Sequence, residues 1–92
     1  MLNEQQREHL AGKARGARKI YLIEQKTAEY VRMEKAGELK EHLELIGKQA
    51  ADHYDTVLTQ MEAQAKERGE TPNGVQMSFS AWELTLADIV HV

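Results

Sequence analysis

The chain has no cysteine among its 92 residues. Disulfides are therefore excluded, and so are thiolate zinc sites and cysteine nucleophiles. A domain this short buries roughly 60–65 % of the surface its unfolded form exposes, so its core is thin. Cohesion has to come from helix packing, within one chain or between two. No stretch approaches 18 consecutive apolar residues, so no segment reads as membrane-spanning. The leading run Met1–Gln6 lacks the apolar stretch of a signal peptide. The expected location is cytoplasmic.

The inventory of reactive groups is also short. The serines are Ser78 and Ser80, and Ser80 is better read as a helix cap than as a nucleophile. Neither G-x-x-x-x-G-K-[ST] nor G-x-G-x-x-G occurs, and Gly12-x-x-x-Gly16 lacks the preceding strand of a phosphate loop. His42 and His53 are eleven residues apart on one helix face. At ~1.5 Å rise per residue they stand about 16 Å apart and cannot share one ion. Glu38 and His42, at i and i+4, read as a surface ion pair, since H-E-x-x-H and paired Glu-x-x-His motifs are missing. The sequence predicts no catalytic residue, no metal, no cofactor and no enzyme activity.

Charge is present but unevenly placed. Net charge is −3, yet residues 1–37 carry eight Lys/Arg against five Asp/Glu, and residues 38–92 carry four against ten. Lys13, Arg15, Arg18 and Lys19 form a basic run without an acid, with Tyr21 and Tyr30 nearby. Such a run suits a nucleic-acid contact, and equally suits packing against the acidic half of this or another chain. The acidic balance of the whole favours the second reading. On the acidic side, Glu38, Glu41, Glu44, Asp52, Asp55, Glu62 and Glu67 form a strip that imitates a phosphate backbone or simply faces solvent.

Periodicity is the strongest positive signal. Asn3 with Gln6 gives a capping box for a short first helix, to roughly Ala11. Gly12 and Gly16 each cost about 1 kcal/mol against Ala in a helix, so 12–16 reads as a frayed end or joint. Ile20, Ile23, Thr27, Tyr30 and Val31 then trace one helical face, and Gly37 stands where a glycine ends a helix. A tight link at Gly37 makes a helical hairpin, and a continuous helix is the rival. Leu39, Leu43, Ile46, Ala50, Tyr54, Val57, Met61 and Ala65 recur at steps of three and four. That helix would be roughly 45 Å long, more than a compact domain needs, so a second copy is an expected partner. Pro72 and Asn73-Gly74 mark a break. Val75–Met77 suits an extended stretch, and Ser80 with Glu83 caps a last helix bearing Trp82, Leu86, Ile89 and Val90. A strand over 84–92 is the alternative.

The expected fold is therefore a single all-α domain spanning 1–92. It has a short N-terminal helix and basic joint (1–16), a helical hairpin with a long second helix (17–68), a loop (69–79) and a C-terminal helix (80–91). The expected core is Ile20, Ile23, Val31, Leu39, Leu43, Ile46, Ala50, Tyr54, Val57, Met61, Trp82, Leu86 and Ile89.

Three blocks of residues carry a family resemblance. The first is Gly12-Lys13, Arg18-Lys19-x-Tyr21-Leu22-x-Glu24 and Ala28-x-Tyr30. The second is Gly37-x-Leu39-x-Glu41-His42-Leu43, with Ile46, Gln49-Ala50 and Gln60-Met61. The third is Ala81-x-Glu83-Leu84-x-Leu86-x-Asp88-Ile89-Val90-x-Val92. In this order and spacing the chain resembles the transposon-encoded TnpV family of small bacterial proteins. Members carry a longer segment rich in Met, Trp, Asn and Arg before the closing run, where this chain has only Gln76–Phe79. They often place proline where Thr27 stands, so a less kinked first helix is expected here. The resemblance implies a mobile genetic element as the setting and transfers no catalytic residue. Three functions follow as expectations: a non-enzymatic accessory that binds a protein partner, a DNA-binding accessory using Lys13, Arg15, Arg18 and Lys19, or an anti-CRISPR-like inhibitor using the acidic strip.

Overall fold

The structure, a computed structural model, describes residues 2–71 and 73–92. In order it contains α1 (Glu4–Gln25), α2 (Thr27–Ala36), α3 (Leu39–Glu67), α4 (Gly74–Thr85) and a π-helical segment, Leu86–Val90. No strand occurs among the described residues. The fold is all-α, with a long helix after Gly37, and 84–92 is not a strand. The expected effect of Pro72 falls on a residue outside those described.

The capping box at the start of α1 forms. The Gln6 N–H donates to Asn3 Oδ1 at 2.8 Å, and the Asn3 N–H donates to Gln6 Oε1 at 3.0 Å. The expected joint at 12–16 does not form, and α1 runs unbroken through Gly12 and Gly16. Ala11 and Ala14 are buried there, and burial on a neighbouring helix outweighs the weak propensity of two glycines. The interruption comes later, at Lys26 (φ −137°, ψ 53°). The Thr27 hydroxyl donates to the Ile23 carbonyl at 2.7 Å, a back-bond that opens helices. The less kinked first helix expected from threonine at position 27 is therefore not seen, because the chain is interrupted at Lys26 beside this back-bond.

Gly37 and Gly69 close α2 and α3 in the same way. Both are left-handed, with φ of 73° and 72°. The Glu38 N–H reaches the Met33 carbonyl at 2.9 Å and the Glu70 N–H reaches the Ala65 carbonyl at 2.9 Å. These are paired glycine caps of the Schellman type. The chain turns at Gly37, which makes the hairpin. The last helix starts at Gly74, earlier than the expected Ser80, because the Asn73 side chain accepts from the Gln76 N–H at 3.1 Å. Asn73 is thus an N-cap, Val75–Met77 are helical rather than extended, and Ser80 lies inside the helix.

Packing rests on small residues. Leu10, Ala11, Ala14, Arg18 and Leu22 form the buried row of α1, and Ile46, Gly47, Ala50 and Ala51 form its counterpart on α3. A Cβ added to Gly47 would lie 3.0 Å from the Ala11 carbonyl oxygen, so the backbones are close. Val90 completes the core with Ala14 and Ala50, and Ala17, Trp82, Leu86 and Ile89 pack around it. The π segment delivers Val90 there: the His91 N–H bonds the Leu86 carbonyl at 2.8 Å, one residue beyond α spacing, which widens the turn.

The expected core is partly corrected. Ile46 and Ala50 are buried, and Leu39, Leu43, Tyr54, Val57, Met61, Trp82, Leu86 and Ile89 are half-buried. Ile20, Ile23 and Val31 are exposed instead. The reason is steric. On α1, the seam of Gly47, Ala50 and Ala51 takes Ala11 and Ala14 opposite it, so Ile20 and Ile23 turn outward; Val31 lies on α2, beyond the break at Lys26.

Candidate functional site

Arg18 is the one buried charged residue among those described, at 7 % exposure. It sits four residues after Ala14 and four before Leu22, so the buried face of α1 carries it inward. Its Nη1 donates to the Val90 carbonyl at 2.8 Å and to the Val92 carbonyl at 2.6 Å. Its Nε donates to His42 Nε2 at 3.2 Å. The guanidinium therefore caps the end of the last helix, where unpaired carbonyls concentrate negative potential. Burial lowers the Arg18 pKa, partly offset by Tyr21, and the group still stays charged at any ordinary pH.

His42 completes the arrangement from α3. Accepting at Nε2 places its proton on Nδ1. Burial lowers the His42 pKa, the Arg18 charge lowers it further, and Glu29 opposes both weakly. Tyr21 lies beneath Arg18, at 5.5 Å, and its other neighbour is the His91 ring, stacked at 5.1 Å and 30°. Residues from α1, α3 and the C-terminal turn thus meet at one point. The arrangement orders chain segments and contains no nucleophile with a base. Among the described residues no group of three or more His, Cys, Asp or Glu is placed to hold a metal ion. No described helix is long and apolar enough to cross a membrane.

The four cations of the basic run are dispersed. Lys13 Nζ stands 4.3 Å over the Trp82 ring, a cation–π contact with α4. Arg15 pairs with Glu8 at 3.0 Å, while its stem lies against Gly47. Arg18 is internal, and Lys19 is exposed. The acidic strip is likewise divided. Asp52 and Asp55 both pair with Arg7, the latter at 3.3 Å, and Glu38 pairs with Arg32 at 3.4 Å. Glu41, Glu44 and Glu67 are exposed and Glu62 is half-buried. Lys48 lies four residues from Glu44 and seven from Glu41, and Lys66 four from Glu62, so cations interrupt the strip.

The role of Arg18 escapes a reading based on hydrophobicity. A signal does exist. Ala11, Ala14, Arg18 and Leu22 follow steps of three, four and four, parallel to the isoleucine row. A lone arginine on an alanine row facing Gly47 and Ala50 is placed for burial. No family model matches the chain, and no match is found among curated proteins or solved structures.

Proposed function

We propose that this chain is a non-enzymatic accessory of a mobile genetic element that binds a protein partner through the back of α1 and α2. The observation that supports this reading is the ridge Ile20, Ile23 and Val31. Ile20 is 57 % exposed and Ile23 42 %. Single exposed aliphatics are ordinary on a protein surface, but Ile20 and Ile23 lie one helical turn apart on α1 and, with Val31 exposed on α2, offer apolar surface that a partner can cover. The resemblance to TnpV proteins supplies the setting. Arg18 supports the role indirectly, by fixing α1 to the C-terminal turn so that the ridge is presented on a rigid element.

The DNA-binding reading has less support, because Lys13, Arg15 and Arg18 already have partners inside the chain. The inhibitor reading has less support for the matching reason, since Arg7 and Arg32 neutralise part of the acidic strip. The decisive experiment is affinity capture from cells carrying the element, with nuclease present, comparing wild type with Ile20→Asp/Ile23→Asp. Both substituted residues are exposed, so the helical circular-dichroism signal should be unchanged. A specific protein retained by wild type and lost by the variant is the expected result. Identical capture by both would refute the ridge. So would DNA binding that weakens roughly 10³-fold or more between about 50 and 200 mM salt.

A further inference from the structure

The molecule is unfinished at one end. Arg7, near the start of α1, pairs with Asp52 and Asp55, and the Leu2 N–H donates to Asp55 at 3.3 Å. The remainder of α3, to Glu67, runs on beyond this pairing, and α4 packs against α3. The consequence is visible in the dimensions. The chain measures 52 × 25 × 15 Å, with a radius of gyration of 15.1 Å. A compact chain of 92 residues has about 12 Å. Its accessible surface is 6193 Å², whereas about 5,400 Å² is typical of a compact 10.5 kDa monomer. The excess, about 800 Å², equals what one partner contributes to a standard interface.

The open end also carries the most exposed apolar side chains in the described chain. Val75 is 85 % exposed and Phe79 65 %. They are one helical turn apart on α4, on the side that bears Ser78 and the half-buried Trp82. Beside them runs a groove between α1, α3 and α4, with Leu2, Leu10, Tyr54 and Leu58 in its lining and Gln5, Gln6, His9 and Ser78 at its polar positions. The exposed Phe79 ring follows Ser78 on α4 and so borders a groove whose lining includes Leu2, Leu10 and Leu58.

Charge points to the occupant. Residues 71–82 contain no Asp, Glu, Lys or Arg, although charged residues make up 29 % of the chain. A two-fold contact brings identical groups together, so a charged face opposes itself and an uncharged one does not. We propose that α4 is the contact between two copies of this chain, with Phe79 of each entering the groove beside the other's Leu58. This surface is separate from the ridge at Ile20, and neither depends on the other.

Sedimentation or light scattering tests the assignment. Wild type at about 100 µM should have the mass of two chains, in the affinity range of ordinary small interfaces. Phe79→Asp and Val75→Lys should each weaken association about 30-fold or more, as substitution of a central anchor does. Both should keep the wild-type helical spectrum, because both sites face water. Ile20→Asp should leave the mass at two chains. A wild-type mass of one chain overturns the proposal. So does a Phe79→Asp protein that still pairs, or pairing lost equally with Ile20→Asp.

Discussion

Alanine at Gly47 and alanine at Gly16 are the same chemical change on two helices, and the structure assigns them different outcomes. Either substitution gains about 1 kcal/mol of helix propensity. At Gly16 the added Cβ meets nothing within 4 Å, so the gain is kept. At Gly47 the Cβ falls 3.0 Å from the Ala11 carbonyl oxygen, 3.0 Å from Arg15 Cγ and 3.3 Å from Ala11 Cβ. Comfortable carbon contacts begin near 3.5 Å, so α1 must retreat by about 0.5 Å. The retreat also loosens Ala14 against Ala50 and Val90, all of which are fully buried. Overpacking of this kind costs about 1–3 kcal/mol, leaving a net loss of about 0–2 kcal/mol after the propensity gain of about 1 kcal/mol. For a domain of this size each kcal/mol shifts Tm by about 4–8 °C. Thermal unfolding followed at 222 nm should therefore show Gly16→Ala a few degrees above wild type and Gly47→Ala below Gly16→Ala, at or up to about 15 °C below wild type. If both variants gain equally, α1 and α3 do not meet at Ala11 and Gly47, and the packing described above is wrong.

Other perturbations follow from the same contacts. Arg18→Leu keeps bulk but removes the donor to Val90, Val92 and His42, and should cost about 2–4 kcal/mol in urea denaturation. An unchanged midpoint would contradict the buried cap. His42 has a folded-state pKa below its ordinary value, through burial first and the Arg18 charge second. The unfolded chain therefore binds a proton that the native chain resists, so His42 favours folding above about pH 6.5 and loses that contribution as pH falls toward the folded pKa. An NMR titration placing His42 above the ordinary histidine value would reverse the sign and refute the assignment. Gly37→Ala tests the turn alone, because nothing lies within 4 Å of an added Cβ while φ is +73°. It should cost about 1–2 kcal/mol, read from the same denaturation curves.

Much of the architecture was legible in the amino-acid sequence because it depends on local rules. Asn3 and Gln6 specify a capping box, Gly37 specifies a left-handed cap, and the three-four rhythm from Leu39 specifies a long helix. None of these needs a distant neighbour. What failed on α1 depended on which face lies against α3. Gly12 and Gly16 read as a joint by propensity, yet α3 holds that stretch in a helix. Ile20 and Ile23 read as core by hydrophobicity, yet the row of Leu10, Ala11, Ala14, Arg18 and Leu22 is the buried one, with Ala11 set close against Gly47. Ser80 read as the cap of the last helix and Asn73-Gly74 as a break, yet the Asn73 side chain caps a helix that already begins at Gly74.

The basic run shows the same division. Composition places Lys13, Arg15, Arg18 and Lys19 together along the chain, and helical geometry then sends them in different directions. Only the folded chain sets Lys13 over Trp82, Arg15 against Glu8 and Arg18 beneath the last carbonyls. Sequence by itself determined that this protein is helical and where several helices stop, because backbone propensity and capping act within a few residues. Tertiary structure alone decided which face of α1 is buried and which cations remain free, because close packing is settled by the shape of the facing surface.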